Sequence, residues 1–349
     1  MPVMLTHDTS IDYDVQGNGP FLLLINGLGF GRWAWFKQVP SLSRHFRTIT
    51  FDIRGEHSLS RGVADLCAEV VALLDYLGVE KAHVLGTSLG GFVAQKLALE
   101  RPDLVDRLVL VCTSYGAREP QPMSFQALGK MLGGGSLSPE RAARRGLEGA
   151  TSDYYRVEQP EEFDLILRWR LADSSSLFDY YQQMMAGTRF DAAFAVRNIT
   201  SPTLVIHGTE DRYVPVANAA ALAEAIPDAR LRIVDDAGHL VFIEQADEVN
   251  DEIISFLEPF EREPSWRLSA RQKAKRLMQR TGEANEKVLS AFKSREPHET
   301  EDPRTTQTTQ ETPAEEQEHH TLTKIKGWLR RPFMATCAWT RKLRDRLSR

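Results

Sequence analysis

The sequence has few cysteines and lacks long hydrophobic runs. Its three cysteines, Cys67, Cys112 and Cys337, form no Cys-x-x-Cys pair, so neither a disulfide framework nor a zinc site is expected. No stretch reaches the ~18 consecutive apolar residues that a membrane-spanning helix needs. Residues 1–8 also lack the basic segment followed by an apolar segment that marks a secretory signal. These absences favour a protein of the reducing cytoplasm.

Cofactor motifs are missing as well. We find no dinucleotide-binding fingerprint, no phosphate-binding loop and no cluster of residues with metal-ligand spacing, so the sequence predicts no cofactor and no metal. The chain nevertheless has 349 residues, of which 42% are hydrophobic. This is enough for a full-sized core domain of about 250 residues and a further segment.

Charge divides the chain into two parts. From Pro259 onward there are 20 Lys and Arg against 13 Asp and Glu, a net charge of +7, whereas residues 1–258 carry 23 against 35, a net charge of −12. The net charge of −5 for the whole chain hides this difference. The first part is therefore predicted to be a folded domain, and the second an extension of different character.

The pattern Gly-x-Ser-x-Gly at residues 86–90 is the most informative motif of the first part. An apolar run predicts a buried strand that ends at Gly86, and a helical pattern begins three residues after Ser88 and continues to about Arg101. Ser88 would then stand in a tight turn from strand to helix, where a side chain at Gly86 or Gly90 would clash. Such a turn exposes the serine hydroxyl beside the first backbone N–H groups of the helix, which can stabilise an oxyanion.

Strands and helices alternate on both sides of this motif, which predicts a mostly parallel sheet with right-handed crossovers. The predicted strands are 10–15, 21–25, 47–53, 82–86, 107–112, 202–208 and 231–234, and the predicted helices include 62–78 and 244–257. The alternation breaks between about 114 and 198. This segment has helical stretches and many aromatic residues but no β-rich apolar run, so it is predicted to be a helical insertion.

The glycine-rich loop after the strand 21–25 is a second candidate site element. Open α/β sheets bind ligands at loops that leave the carboxyl ends of central strands. The loop begins with Asn26 and Gly27, and the backbone N–H of Leu28 could be one oxyanion donor, with that of Leu89 as the other. A plain connection between strand and helix is the alternative interpretation.

The order of serine, helical insertion, acidic residue and histidine resembles the α/β-hydrolase fold over about residues 10–258. The family's nucleophile elbow is matched by residues 86–91 (GTSLGG), its acid loop by 208–215 (GTEDRYVP) and its histidine loop by 238–239 (GH). Within the family, the sequence is most similar to the cofactor-free group of 3-oxoadipate enol-lactonases, arylesterase and haloperoxidase relatives, and C–C bond hydrolases. The resemblance implies a mostly parallel central sheet flanked by helices, with the insertion as a helical cap.

Two positions depart from the family pattern. The oxyanion loop usually begins His-Gly, whereas this sequence has Asn26-Gly27. The usual Asp-x-Arg-Gly-His-Gly-x-Ser is shortened by one glycine, so that residues 52–58 are DIRGEHS. Both departures concern the substrate side of the site, and neither removes a residue of the implied catalytic triad.

That triad is Ser88, Asp211 and His239. A serine hydroxyl is a weak nucleophile at neutral pH and needs a base, and a histidine, with an ordinary pKa of about 6.5, is suited to take its proton and return it. Asp211 would fix the tautomer of His239 and stabilise the imidazolium, although it could instead begin the helix that follows it. His207 is interpreted as a packing residue at a strand end. Three carboxylates are rivals of Asp211: Glu210, Asp235 and Asp236.

The insertion is expected to cover the edge of the sheet where Ser88 lies. Its aromatic residues, with those that follow the oxyanion loop, favour an apolar pocket for an acyl chain or a ring. Any single aromatic side chain could instead pack the insertion against the core. The candidate pocket residues are Asn26, Phe30, Trp33, Trp35, Phe125, Trp169 and Leu240.

These residues predict a serine hydrolase that cleaves a small or medium-sized, apolar carboxylic ester or lactone through an acyl-enzyme. A C–C bond hydrolase of diketone-like substrates would use the same residues and is the first alternative. A ligand-binding or receptor protein that keeps the fold with little turnover is the second. The complete triad argues against the second alternative.

The residues after 258 lie outside this resemblance. Residues 259–295 are predicted to be a basic helical extension, 296–320 a disordered acidic linker, and 321–349 a basic amphipathic tail. The tail could lie on an anionic membrane surface, as a peripheral attachment, or bind a protein partner, while nucleic acid is not the expected partner. A solvated tail without function is the alternative.

Overall fold

Residues 2–5, 9–55, 61–135, 138–173 and 177–258 are described by the structure, which is a computed structural model. They lie within one unit of the chain, Met1–Asn285. The described strands are β1 Val3–Leu5, β2 Thr9–Gln16, β3 Phe21–Ile25, β4 Arg47–Gly55, β5 Ala82–Thr87, β6 Val105–Val111, β7 Thr203–Gly208 and β8 Ala229–Val234. The described helices are α1 Gln38–Leu42, α2 Val63–Tyr76, α3 Leu89–Glu100, α4 Phe125–Met131, α5 Pro139–Ala150, α6 Asp153–Glu158, α7 Pro160–Ala172, α8 Leu177–Arg189, α9 Val216–Ala225, α10 Val241–Glu244 and α11 Ala246–Leu257.

The strands form one sheet in the order β1-β2-β4-β3-β5-β6-β7-β8. β2 pairs antiparallel with β1 and with β4, and the other neighbouring pairs are parallel. The prediction of a mostly parallel sheet is confirmed. The strand β1 was not predicted, because three residues are too few to show a recognisable alternation.

Helices cover both faces of the sheet, and β3 shows how the two cores are separated. Leu23 belongs to the core that includes residues of α2, α3 and α9, whereas Leu22 and Leu24 belong to the core that includes residues of α1 and α11. All three side chains are fully buried. This is the burial expected of a central parallel strand, which is apolar on both faces.

The predicted helical insertion is confirmed and comprises α4 to α8. Its two ends meet at an antiparallel bridge between Gly116 and Asp191. Two backbone hydrogen bonds, Ala117 N–H to Phe190 O at 2.9 Å and Ala192 N–H to Tyr115 O at 2.8 Å, lie on either side of the bridge. The two connections at the base of the cap are therefore held together by a short backbone ladder.

One predicted boundary is wrong. The helix α3 begins at Leu89, immediately after Ser88, rather than three residues later. The sequence pattern missed this first turn because Gly90 and Gly91 have no side chains that could contribute to an apolar period. The predicted closing helix, from about 244 to 257, corresponds to α11. The short helix α10 before it was not predicted, and Gln245, whose φ of −123° and ψ of 50° lie outside the helical region, separates the two.

Within the described residues, no helix is both long and apolar enough to cross a bilayer. The predictions for 259–295, 296–320 and 321–349 fall outside the described residues. The suggested membrane or protein partner of the tail therefore stays a prediction.

Two glycines allow α3 to pack directly on the sheet. A Cβ atom at Gly90 would lie 2.2 Å from the carbonyl oxygen of Ile25 in β3, and one at Gly86 would lie 2.3 Å from the carbonyl oxygen of Gly90. Both distances are far shorter than van der Waals contact, and the atoms concerned belong to the backbone of central elements. The predicted clash at these two positions is confirmed.

Gly90→Ala should therefore destabilise the protein by at least ~2 kcal/mol, since an overpacked core must shift its backbone, and lower the Tm by about 5 °C or more. Thermal unfolding followed by circular dichroism measures this. Gly129→Ala is the matched control. It lies inside α4 with open space around its Cβ position, so alanine should keep or raise the Tm. An unchanged Tm in Gly90→Ala would contradict the packing described for α3.

Candidate active site

Ser88 stands in the turn between β5 and α3 with a strained backbone. Its φ of 53° and ψ of −117° lie where a non-glycine residue pays about 1–3 kcal/mol. The surrounding backbone holds the turn: Ser88 N–H donates to Val111 O at 2.9 Å, and Ser88 C=O accepts from the Thr113 hydroxyl and from Gly91 N–H, both at 2.9 Å. Strain that is held in this way at a single serine is typical of a functional position.

Asp211 and His239 form a buried, hydrogen-bonded pair. His239 Nδ1 lies 2.8 Å from Asp211 Oδ2. The other carboxylate oxygen, Oδ1, accepts from the backbone N–H groups of Tyr213 and Val214, both at 2.9 Å. The two loops that carry the pair follow β7 and β8, which are neighbours in the sheet. Both loops therefore leave the same edge side by side.

The charges around Asp211 determine its protonation. Burial alone would raise the pKa of its carboxyl, but the positive charge of His239 and hydrogen bonds from His207 and His239 outweigh burial and hold the pKa well below its usual range. The carboxylate therefore stays ionised at neutral pH. An ionised Asp211 accepts the Nδ1 proton of His239 and leaves Nε2 as the nitrogen that can take a proton.

The rival carboxylates have other surroundings. Asp235 and Asp236 are exposed. Glu210 accepts a hydrogen bond from the backbone N–H of Asp153 at 3.3 Å and lies 3.7 Å from Arg212. Among these four acids, it is Asp211 that contacts the imidazole.

Two side chains that support the pair were missed or misread in the sequence. His207 is fully buried at the end of β7, and its Nε2 lies 3.2 Å from Asp211 Oδ2 and 2.7 Å from Val214 O. The ring of Tyr213 meets the imidazole of His239 edge to face, with centroids 5.5 Å apart. The interpretation of His207 as a packing residue is thus incomplete, because its contact with Asp211 exists only once the acid loop folds back over the strand end.

Cys112 completes a small buried cluster with His207 and Asp211, whose ligand atoms all lie within 4.8 Å of one another. Asp211 is already bonded to His239, and His207 Nε2 to a backbone carbonyl. Burial raises the pKa of the Cys112 thiol well above its usual value. We interpret the cluster as packing that holds Asp211 in place.

One cleft brings the predicted site elements together. Ser88, His239 and the loop 26–28 all line it. The empty space within it, including space that is open to solvent, is about 670 Å³. Side chains from both the sheet edge and the cap form its walls.

The loop 26–28 lies directly against Ser88. A Cβ atom at Gly27 would be 3.2 Å from the Cβ of Ser88, a proximity that follows because β3 and β5 are parallel neighbours. Leu28 lines the cleft, and Leu89 is the first residue of α3, where backbone N–H groups have no partner inside the helix. This arrangement suits the predicted pair of oxyanion donors.

One departure from the family pattern, Asn26, helps to anchor this loop, together with Asp52, which follows the usual pattern. The second departure, the missing glycine after Gly55, falls outside the described residues. Asn26 Nδ2 donates to the carbonyl oxygen of Phe51 at 3.3 Å, which ties the loop to β4. Asp52 Oδ1 accepts from the backbone N–H of Arg32 at 2.7 Å, and its carboxylate also pairs with the Arg32 guanidinium at 3.4 Å. The residues downstream of the glycines are therefore held in place without the usual histidine.

The predicted pocket residues separate into two groups. Asn26, Phe30, Trp35 and Leu240 line the cleft. Trp33 and Trp169 pack on each other beside it, with ring centroids 6.0 Å apart, and Phe125 is 64% exposed on α4. Phe125 and Trp169 lie on cap helices, and a sequence does not show which face of such a helix turns toward the cleft. Trp33 lies in the short turn after the oxyanion loop, where the sequence does not show which of two nearby tryptophans faces the cleft. Several lining residues were not predicted, among them Met123, Met131, Arg170, Tyr180, Tyr213 and Val214.

Glu244 connects the histidine loop to the cap. Its Oε2 accepts from Gly238 N–H at 3.0 Å and from Ser152 N–H at 2.9 Å. Burial raises the pKa of Glu244, although these donors act in the opposite direction. The pKa of Glu244 is therefore higher in the folded protein than in the unfolded chain, so its protonated form favours folding. This contribution to the free energy of unfolding is complete below the unfolded pKa of about 4.5 and is lost as the pH rises through the folded pKa.

Glu244→Gln keeps an acceptor oxygen but cannot ionise. The free energy of unfolding of this variant should therefore increase relative to that of wild type as the pH rises from about 4 to about 7. Urea unfolding at several pH values measures this difference. Asp247→Asn, at an exposed position in α11, is the control and should show no such trend. A difference between Glu244→Gln and wild type that stays constant over this range would contradict the assigned pKa direction.

Comparison with known proteins identifies the fold family. A family model described as the alpha/beta hydrolase fold matches residues 20–246. A poly(3-hydroxyalkanoate) depolymerase of Ectopseudomonas oleovorans is 30% identical over 262 residues, which cover 68% of this chain and 84% of that protein.

Solved structures agree with this match. The enol-lactonase from Burkholderia xenovorans LB400 is 26% identical with a TM-score of 0.65, covering 73% of this chain and 99% of that one. Est816, described as an N-acyl homoserine lactone degrading enzyme, is 26% identical with a TM-score of 0.64, covering 73% and 100%. Since the family model spans more than half of the chain, the chain belongs to the α/β-hydrolase fold family.

Proposed function

We propose that the protein is a serine hydrolase that cleaves a small or medium-sized carboxylic ester or lactone through an acyl-enzyme. The observation that carries this proposal is the hydrogen-bonded pair of His239 and Asp211, whose histidine lines the same cleft as Ser88. A serine at a strained turn beside helix N–H groups, together with a histidine oriented by a buried carboxylate, has the parts that acyl transfer needs.

In this mechanism, His239 Nε2 takes the hydroxyl proton of Ser88 while Oγ attacks the carbonyl carbon. The negative charge that develops on the carbonyl oxygen is stabilised by the backbone N–H groups of Leu28 and Leu89. Collapse of the tetrahedral species breaks the bond to the alcohol oxygen, which receives the proton from His239. A water molecule that gives its proton to His239 then attacks the acyl-enzyme, and the acid leaves as Ser88 recovers its proton.

The relatives support an ester or a lactone as the bond that is cleaved. Two of the structures similar to this chain are described as an enol-lactonase and as a lactone-degrading enzyme. The cleft walls are mostly apolar, which suits the acyl chain or ring of such a substrate. The C–C bond hydrolase is the alternative, and a panel of acyl esters, lactones and β-diketones separates the two: turnover of the diketones alone would favour C–C cleavage.

Ser88→Ala and His239→Ala should each lower kcat on 4-nitrophenyl butyrate by about 10³-fold or more, and the double variant should be little worse than either single one, because the two residues act as one unit. A fluorophosphonate probe should label wild type but not Ser88→Ala. Ser41→Ala, in α1, is the control and should keep both labelling and activity. Losses that multiply in the double variant would contradict a shared role.

Asp211→Asn should lose most of the activity while remaining folded, because an amide can no longer stabilise the imidazolium or fix its tautomer. Asp235→Asn and Asp236→Asn are matched controls at exposed positions and should retain wild-type kcat. The measurement is kcat on the same ester, with circular dichroism to establish folding. Full activity in Asp211→Asn would assign the acid to another carboxylate.

A further inference from the structure

Arg170 is a charged side chain in an otherwise apolar wall of the cleft. It lies on the cap helix α7 and lines the same cleft as Ser88 and His239. Among the described residues that line this cleft, no other lysine or arginine occurs, and no aspartate or glutamate. The cleft therefore offers a ligand one fixed positive charge.

Contacts on two sides hold the Arg170 guanidinium near the oxyanion loop. Its central carbon lies 5.0 Å from the ring centroid of Phe30, in a cation–π contact. An added Cβ at Gly29, the residue that follows Leu28, would lie 3.5 Å from Nη2, and one at Gly146 in α5 would lie 3.8 Å from both terminal nitrogens. These neighbours are an aromatic face and glycine backbone, and none of them supplies a negative charge.

The charge of Arg170 is also not neutralised by an ion pair within the described part of the chain. Neighbouring arginines of the cap do have acidic partners: Arg144 lies 2.9 Å from Asp164, and Arg156 pairs with Asp153. Arg170 instead interacts with Tyr180. Burial raises the pKa of Tyr180, and the positive charge of Arg170 partly offsets this rise. A half-buried guanidinium without a carboxylate has lost part of its hydration without gaining a counter-charge.

A bound carboxylate would supply that counter-charge. The planar fork of a guanidinium matches the two oxygens of a carboxylate, and the apolar walls strengthen the attraction by excluding water. A phosphate dianion usually takes several donors, whereas this wall provides one cationic side chain. The chemistry of the cleft thus favours a monoanionic carboxylate.

We propose that the substrate carries a free carboxylate in addition to the ester or lactone bond that is cleaved, and that Arg170 binds this carboxylate. This inference rests on the proposed function. It narrows the expected apolar ester to one with a negatively charged end. Arg170 would hold that end against the cap while the carbonyl group lies between Ser88 and the loop 26–28.

Two esters with the same five-carbon diacid chain test the proposal with the wild-type protein. The mono-4-nitrophenyl ester of glutarate carries a free carboxylate, and its methyl-capped diester does not. We expect kcat/KM to be at least about 10-fold higher for the carboxylated ester, with the difference mainly in KM. Equal values, or a preference for the capped ester, would overturn the proposal and leave the proposed function intact.

Variants in α7 test whether Arg170 is responsible for the preference for the carboxylated ester. Arg170→Gln should lower kcat/KM on the carboxylated ester at least about 10-fold more than on the capped one, and Arg170→Lys should retain part of the preference. Arg168→Gln, at an exposed position two residues away, should keep the wild-type ratio. A preference that survives in Arg170→Gln would overturn the assignment, and where this variant does not fold, the wild-type comparison still decides whether a carboxylate is recognised.

Failure of the underlying function has a different signature. If neither ester were hydrolysed and the fluorophosphonate probe did not label Ser88, the serine hydrolase itself would be refuted, and the carboxylate proposal with it. Labelling of Ser88 combined with no preference for the carboxylated ester would refute the carboxylate proposal alone.

Discussion

The close packing of α3 on β3 is the constraint on which the candidate site depends. The helix can lie this close because Gly90 meets the Ile25 carbonyl where any side chain would collide. The approach brings the N-terminus of α3 beside the loop 26–28 and forces Ser88 into a strained turn. Backbone geometry alone thus places the Ser88 hydroxyl close to the N–H groups of the loop 26–28 and of the first turn of α3.

Asp211 is the second organising feature, since a buried carboxylate must be stabilised as an ion. Its oxygens are satisfied by two backbone N–H groups, by His239 and by the nearby His207. Because these contacts outweigh the cost of burial, the acid can orient a histidine without taking its proton. The cost of burying the charge is distributed over the whole acid loop, which explains why the support extends to a strand-end histidine that never reaches the cleft.

Side chains of the cap line the cleft, whereas the three residues of the proposed triad lie outside the cap. Glu244 ties it to the histidine loop, and a backbone bridge closes its base. Its inner wall is apolar except for Arg170. One uncompensated cation in such a wall has a large effect on which ligands can bind, because it attracts an anion and disfavours burial of a neutral chain against it.

The sequence by itself determined the fold family and the order of strands and helices, and it singled out Ser88 and His239 as candidates, because these depend on local signals: apolar periodicity, the glycines at 86 and 90 and short loops after strands. It did not determine which acid meets the histidine, since Glu210 and Asp211 are adjacent and only the path of the loop separates them. It also did not show that Arg170 of the cap lines the cleft while Phe125 and Trp169 do not. Which face of a cap helix turns toward the cleft depends on how several helices pack together, and that packing is decided only in the tertiary structure.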